Sequence, residues 1–155
     1  MNGDVPVRFC ERLGVRLPWA THLVQSAGDG IFALFGSPVA CDDHPQRAVH
    51  AAIAMREALG GVRSERRDGP KIEVRIGINT GEVVLRTMHI GGHPEYTPVG
   101  YTANLAARMQ SAAPAGTIVI SQNTQHLVEG YFELRELGLT QVKGVDKPIN
   151  RCWMN

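Results

Sequence analysis

The chain has 155 residues and 43% apolar content, enough for one domain with a buried core. Sixteen basic against fifteen acidic residues leave a net charge of +1, which gives no support to a polyanion-binding face. No apolar run approaches the roughly 18 residues needed to cross a bilayer, so no membrane segment is expected in this chain. The start, Met1-Asn2-Gly3-Asp4-Val5-Pro6, lacks a basic region followed by an apolar one. Cys10, Cys41 and Cys152 are odd in number and form no C-x-x-C pair, as expected of reduced structural thiols. The chain reads as cytoplasmic.

In chain order, the first predicted element is a hairpin over residues 22–35. One strand runs through His22-Leu23-Val24-Gln25, Gly28-Asp29-Gly30 makes the turn, and Ile31 to Phe35 return. Asp42 or Asp43 can cap the helix that follows, with Pro45 in its first turn. Ala48, Ala51, Ala52, Met55 and Leu59 mark its apolar face at helical spacing. Residues 60–70 are a charged, glycine-punctuated loop. Lys71 to Asn79 alternate as a half-buried strand, and Gly81 to Arg86 return as a second. A loop is expected from Thr87 to Glu95. It contains His89 and His93, which read as a surface turn rather than a zinc site because no third ligand is near. A helix from Thr102 to about Ser111 turns Leu105 and Met109 inward. Thr117 to Ile120 is a strand, Gln122 to Val128 a short helix, and Phe132 to Leu137 and Ile149 to Trp153 are closing strands joined through Gln141-Val142-Lys143-Gly144. Strands and helices mix in an α+β or α/β pattern.

The most informative segment is Tyr96-Thr97-Pro98-Val99-Gly100-Tyr101-Thr102-Ala103-Asn104-Leu105-Ala106-Ala107-Arg108. Asn104 and Arg108 are four residues apart and share one helical face, where an amide and a guanidinium can hold a sugar oxygen and a phosphate together. Taken alone, such a pair is what any solvated helix face presents. Its company is more specific: Gly28-Asp29-Gly30 with Ile31-Phe32-Ala33-Leu34-Phe35-Gly36, then Arg75-Ile76-Gly77-Ile78-Asn79-Thr80-Gly81-Glu82-Val83-Val84, then the Asn104/Arg108 helix, in that order. With these motifs the chain resembles the class III adenylate and guanylate cyclase catalytic domain from about Leu23 to Trp153. The expected organisation is an atypical segment over residues 1–20 and a class III cyclase catalytic-type domain over residues 21–155.

The resemblance implies an α+β, ferredoxin-like nucleotide cyclase fold, with a mixed, mainly antiparallel sheet and helices on one side. It also implies adenylate cyclase chemistry, a phosphorus–oxygen lyase reaction. The 3′-oxygen of ATP attacks its own α-phosphorus and pyrophosphate leaves, with two divalent ions (Mg2+ or Mn2+) held by carboxylates. Asp29 matches the family's second metal aspartate, although an aspartate before a turn glycine also suits local backbone hydrogen bonding. Asn104 matches the residue that orients the ribose, and Arg108 the one that steadies the transition-state phosphate. Thr97, seven residues before Asn104, lies where relatives carry an Asp or Thr that contacts adenine. Lys143, in Val-Lys-Gly, resembles a pyrophosphate-contacting lysine and reads equally well as a loop lysine.

The departures are informative too. The family's first metal aspartate lies well upstream of the Gly-Asp turn, in a motif like Phe-x-Asp-Ile. Here Asp4 is the sole aspartate before Asp29, and its flanks do not form that strand. The fold is therefore expected to lack its first strand, with the odd positions Val5 to Phe9 and Leu13 to Trp19 of residues 1–20 offering a substitute. Gln25 stands where adenylate cyclases carry an adenine-recognising Lys, and Tyr101 where Asp or His is common.

The family builds each site from two protomers, so the chain is expected to form a homodimer or to pair with a complete protomer. A homodimer with one carboxylate per site is expected to bind two metal ions poorly, which makes activity of this chain alone doubtful. The other class of reading is a noncatalytic nucleotide-binding or interaction module. A P-loop is excluded by the lack of G-x-x-x-x-G-K-[ST]. No nucleic-acid partner is expected, since the strands carry no paired aromatics.

Overall fold

The computed structural model describes residues 23–27, 30–37, 40–60, 73–90, 93–140 and 149–154. The chain divides into two compact units, Met1–Val74 and Arg75–Asn155. The first contains a hairpin of β1 (Leu23–Ala27) and β2 (Gly30–Leu34), and helix α1 (His44–Gly60). The hairpin register runs from Leu23 opposite Leu34 to Ala27 opposite Gly30, so Gly30, expected in the turn, is instead the first residue of β2. Residues 1–20, with the expected substitute strand, lie outside the described residues, as do residues 61–72.

Helix α1 begins where the Asp43 carbonyl accepts the Arg47 N–H at 3.0 Å. The Asp43 carboxylate also pairs with Arg47 Nε at 2.8 Å, and this guanidinium holds the carboxyl below its ordinary range. The pair's contribution is present above the ordinary carboxylate pKa and is lost as pH falls through the lowered value. Because the carboxylate is solvated, that contribution is small. The buried residues of α1 are Pro45, Val49, Ala51, Ala52 and Leu59. Val49 is fully buried, while Ala48 and Met55 of the expected stripe are only partly covered.

The second unit holds a four-stranded sheet ordered β3–β6–β8–β7: β3 (Ile76–Ile78), β6 (Ile118–Ser121), β7 (Leu134–Thr140) and β8 (Ile149–Met154). Strands β3 and β6 are parallel, and the other described pairings are antiparallel. Strand β6 is buried along its whole length, which suits its Ile-Val-Ile run between two neighbours. A bulge between Glu136 and Gly138 shifts the β7–β8 register, and Gly138 takes the positive φ of 72° there. Of the expected strand over Lys71–Asn79, Lys71 and Ile72 lie outside the described residues, and pairing among the rest is confined to Ile76–Ile78, against a β6 of only four residues. The expected loop from Thr87 to Glu95 is instead part of a long hairpin, β4 (Val84–Ile90) against β5 (His93–Val99), with Val84 opposite Val99 and Ile90 opposite His93.

Helix α2 (Tyr101–Ala112) follows β5, and helix α3 (Gln122–Val128) follows β6. Gly100 turns the chain into α2 with φ 118°, a conformation L side chains rarely adopt, and its carbonyl accepts the Asn104 N–H at 3.2 Å. Leu105 and Met109 face inward as the periodicity predicts, clustering with Ala113 and Val119.

The other face-to-face contact of α2 is with β3 and depends on an absent side chain. A Cβ at Gly77 would stand 2.5 Å from the Ala106 carbonyl oxygen and 2.5 Å from the Gln110 nitrogen, the two ends of one helical i→i+4 bond. Only a glycine allows the helix backbone to lie that close. Where β3 ends, Thr80 Oγ1 and Thr124 Oγ1 share a hydrogen bond of 2.9 Å, and Thr124 Oγ1 also meets Ser121 Oγ at 3.2 Å. Ser121 Oγ accepts the Thr124 N–H at 3.3 Å, capping α3. Thr124 is fully buried, so its hydroxyl depends on these partners.

Two outcomes follow in urea denaturation. Gly77→Ala lowers stability by about 1–3 kcal/mol, because the helix backbone must move to admit a methyl group. Thr124→Val, equal in volume, lowers it by about 1–2 kcal/mol, because the Thr80 and Ser121 hydroxyls lose a buried partner.

Candidate functional site

Helix α2 presents Asn104 and Arg108 to solvent. At 100° per residue they lie nearly opposite Ala106 and Gln110, the residues against Gly77. The packed side of α2 faces β3, and the exposed side carries the amide and the guanidinium one turn apart, with Cβ atoms about 5–6 Å from each other. Arg108 has interactions of its own within the structure. Side by side, the two groups can donate to a sugar oxygen and to a phosphate.

Thr97 is half-buried in β5, three residues before the Gly100 turn into α2. Its cross-strand partner is Arg86 of β4, which is exposed. Residues directly opposed in an antiparallel pair lie on the same face about 4.5–5.5 Å apart at Cβ, so a cation neighbours Thr97. The sequence carries no signal for this neighbour without the register of the hairpin. Tyr101 opens α2 and is 65% exposed, so it packs against little.

Gln25 lies in β1 opposite Phe32. Asp29 and Lys143 are outside the described residues; Asp29 falls between the paired Ala27 and Gly30. By sequence position Gln25 and Asp29 belong to the first unit, and Thr97, Asn104, Arg108 and Lys143 to the second. Among the described residues no group of three or more His, Cys, Asp or Glu could hold a metal ion. His89 pairs with Pro94 and His93 with Ile90, so the two histidines are not cross-strand partners. The described residues therefore supply no metal donor set.

A mixed sheet with α2 laid on β3 is an α+β arrangement, and solved nucleotide cyclase domains share this fold. The chain belongs to the adenylate and guanylate cyclase catalytic domain family, whose model matches residues 17–155. It is 30% identical over 126 residues to adenylate cyclase 1 of Rhizobium meliloti, a match covering 79% of this chain and 19% of that protein. Among solved structures, it is similar to the guanylate cyclase domain of RhGC from Catenaria anguillulae in complex with GTP. That likeness has a TM-score of 0.77 and 31% identity, and covers 96% of this chain and 76% of the other. The adenylyl cyclase CyaB from P. aeruginosa gives a TM-score of 0.76 at 28% identity, covering 96% and 75%. The chain thus spans about a fifth of the length of the curated relatives it matches. No helix among the described residues is long and apolar enough to cross a membrane.

Because Asn104 and Arg108 are solvent-facing, Asn104→Ala and Arg108→Ala change stability by less than about 1 kcal/mol. Thermal unfolding of the two variants beside the unsubstituted chain checks this.

Proposed function

We propose that this chain is an adenylate cyclase catalytic domain that converts ATP to cyclic AMP and pyrophosphate, and that it supplies the Asn/Arg half of a site shared between two protomers. The observation that carries this reading is the exposed Asn104/Arg108 pair on a helix whose other side is locked to β3. Asn104 orients the ribose so that its 3′-oxygen faces the α-phosphorus, and Arg108 donates to the oxygens that gain charge as the bond to pyrophosphate breaks. No nucleophile from the protein is needed, since the attacking oxygen belongs to the substrate.

Relatives include both adenylate and guanylate cyclases, so the choice of base rests on this chain's own residues. Thr97 can accept from the exocyclic amine of adenine, and Gln25 can both donate and accept without charge. When bound, magnesium or manganese would neutralise phosphate charge. Asp29 is the carboxylate this chain offers for it, and Lys143 is the cation it offers for pyrophosphate. Both metal aspartates of that shared site are proposed to come from the complete partner protomer, which leaves Asp29 to the other site of the pair.

The test mixes the purified chain with a cyclase protomer that keeps both metal aspartates but lacks its own Asn and Arg, in the presence of manganese. The mixture is expected to make cyclic AMP from ATP faster than cyclic GMP from GTP, and Arg108→Ala to lower the rate by about 10²–10³-fold. Faster use of GTP would contradict the adenine assignment. No product from a folded mixture would contradict the catalytic reading and favour a noncatalytic module.

A further inference from the structure

Residues 77, 79 and 81 alternate along the end of β3 and the turn after it, and all three meet one side of α2. Gly77 lies against Ala106 and Gln110; Gly81 lies against Thr102, whose Oγ1 would be 2.8 Å from a Cβ there. Between them, Asn79 donates from Nδ2 to the Thr102 carbonyl oxygen at 3.0 Å. Thr102, Ala106 and Gln110 are spaced by four, so they form one row along the helix. The chain thus crosses α2 along this row, with two glycines as smooth contacts and one amide making a directional bond.

The division of labour follows from the chemistry. A glycine furrow sets how near the helix can come but resists neither sliding nor rotation, since it has no side chain to interlock. A hydrogen bond to a particular carbonyl does resist both, because it weakens steeply with misalignment. The Thr102 carbonyl lies in the first turn of α2, two residues before Asn104. It also accepts the helix's own bond from Ala106, so the Asn79 amide holds the turn that carries the ribose-facing position.

We propose that Asn79 is a positioning residue, whose amide sets the rotation and axial register of α2 and so places Asn104 and Arg108 against the nucleotide; this rests on the reading under Proposed function. Asn79 touches no reacting atom in this account and acts only through the helix. Misplacement of such groups by about 1 Å can cost on the order of 10²-fold in rate.

Three variants test it in the complemented assay. Asn79→Asp keeps the shape of the side chain but puts an acceptor against the Thr102 carbonyl, and is expected to lower kcat by about 10²-fold with KM changed only a few-fold. Asn79→His returns an N–H donor to nearly the same place and is expected to recover most of kcat. In an Arg108→Ala background, Asn79→Asp is expected to cost much less than it does alone, because the two act as one unit. A purely structural role would instead lower thermal stability in all variants and leave kcat per folded molecule unchanged, which would overturn the proposal.

Hydrogen exchange reads the helix without turnover. Asn79→Asp is expected to speed exchange of the Ala106 amide by about tenfold. Unchanged exchange at Ala106 overturns the assignment of Asn79. Absence of product from the unsubstituted chain overturns the proposed function instead, so the two failures are told apart.

Discussion

The structure of the second unit depends on the contact between Gly77 and the backbone of α2. A strand and a helix ordinarily pack through side chains that keep their backbones well apart. Here a Cβ on residue 77 would stand only 2.5 Å from each end of the Ala106–Gln110 hydrogen bond. The helix is brought onto β3 by the burial of Leu105, Met109 and Ala113 with Val119, and Gly77 allows it to come fully down. Everything on the outer face of α2 inherits that position. An exposed Asn and Arg on a loosely held helix would be ordinary surface; on a helix that Gly77 admits this closely and the Asn79 amide bonds, they are presented in a fixed direction.

How much of this was legible in the sequence depends on what each element's partner demands. The β1–β2 hairpin, the buried β6 run and the inward pair Leu105/Met109 follow from alternation, apolar content and helical spacing, and the structure has them. The β4–β5 hairpin departs from the loop expected over Thr87 to Glu95, a stretch punctuated by Gly91, Gly92 and Pro94. On a two-stranded ribbon one side of β5 has no partner among the described residues, and a proline there forfeits no ladder bond. The buried face of α1 is centred on Val49 rather than on Ala48 and Met55, because a stripe of alanines fixes a face only loosely. Neither the close approach at Gly77 nor the Asn79–Thr102 bond is visible without coordinates, since both join residues more than twenty positions apart.

The candidate site was legible in a different way. Asn104 and Arg108 stood out by spacing and by the order of the motifs around them, and the structure sets them on an exposed helical face. Spacing did not reveal why those two positions are held still, or that Arg86 neighbours Thr97 across the ribbon. The motif Arg75-Ile76-Gly77-Ile78-Asn79-Thr80-Gly81, first useful only as a family marker, acquires a physical meaning. Its glycines admit the helix, its Asn79 bonds the helix, and its Thr80 ties into the buried hydroxyl cluster of Thr124 and Ser121. The exposed Asn104/Arg108 face of one element is thus supported by a contiguous stretch of another.

The measurement that reaches this account most directly is a crystal structure of the chain paired with a complete cyclase protomer, grown with manganese and a slowly hydrolysed ATP analogue. The account predicts the Asn104 amide on the ribose and the Arg108 guanidinium on the phosphate chain, with α2 still seated against Gly77 and Asn79 still bonded to the Thr102 carbonyl. A nucleotide bound away from both side chains, or α2 lifted off β3 in the complex, would contradict it.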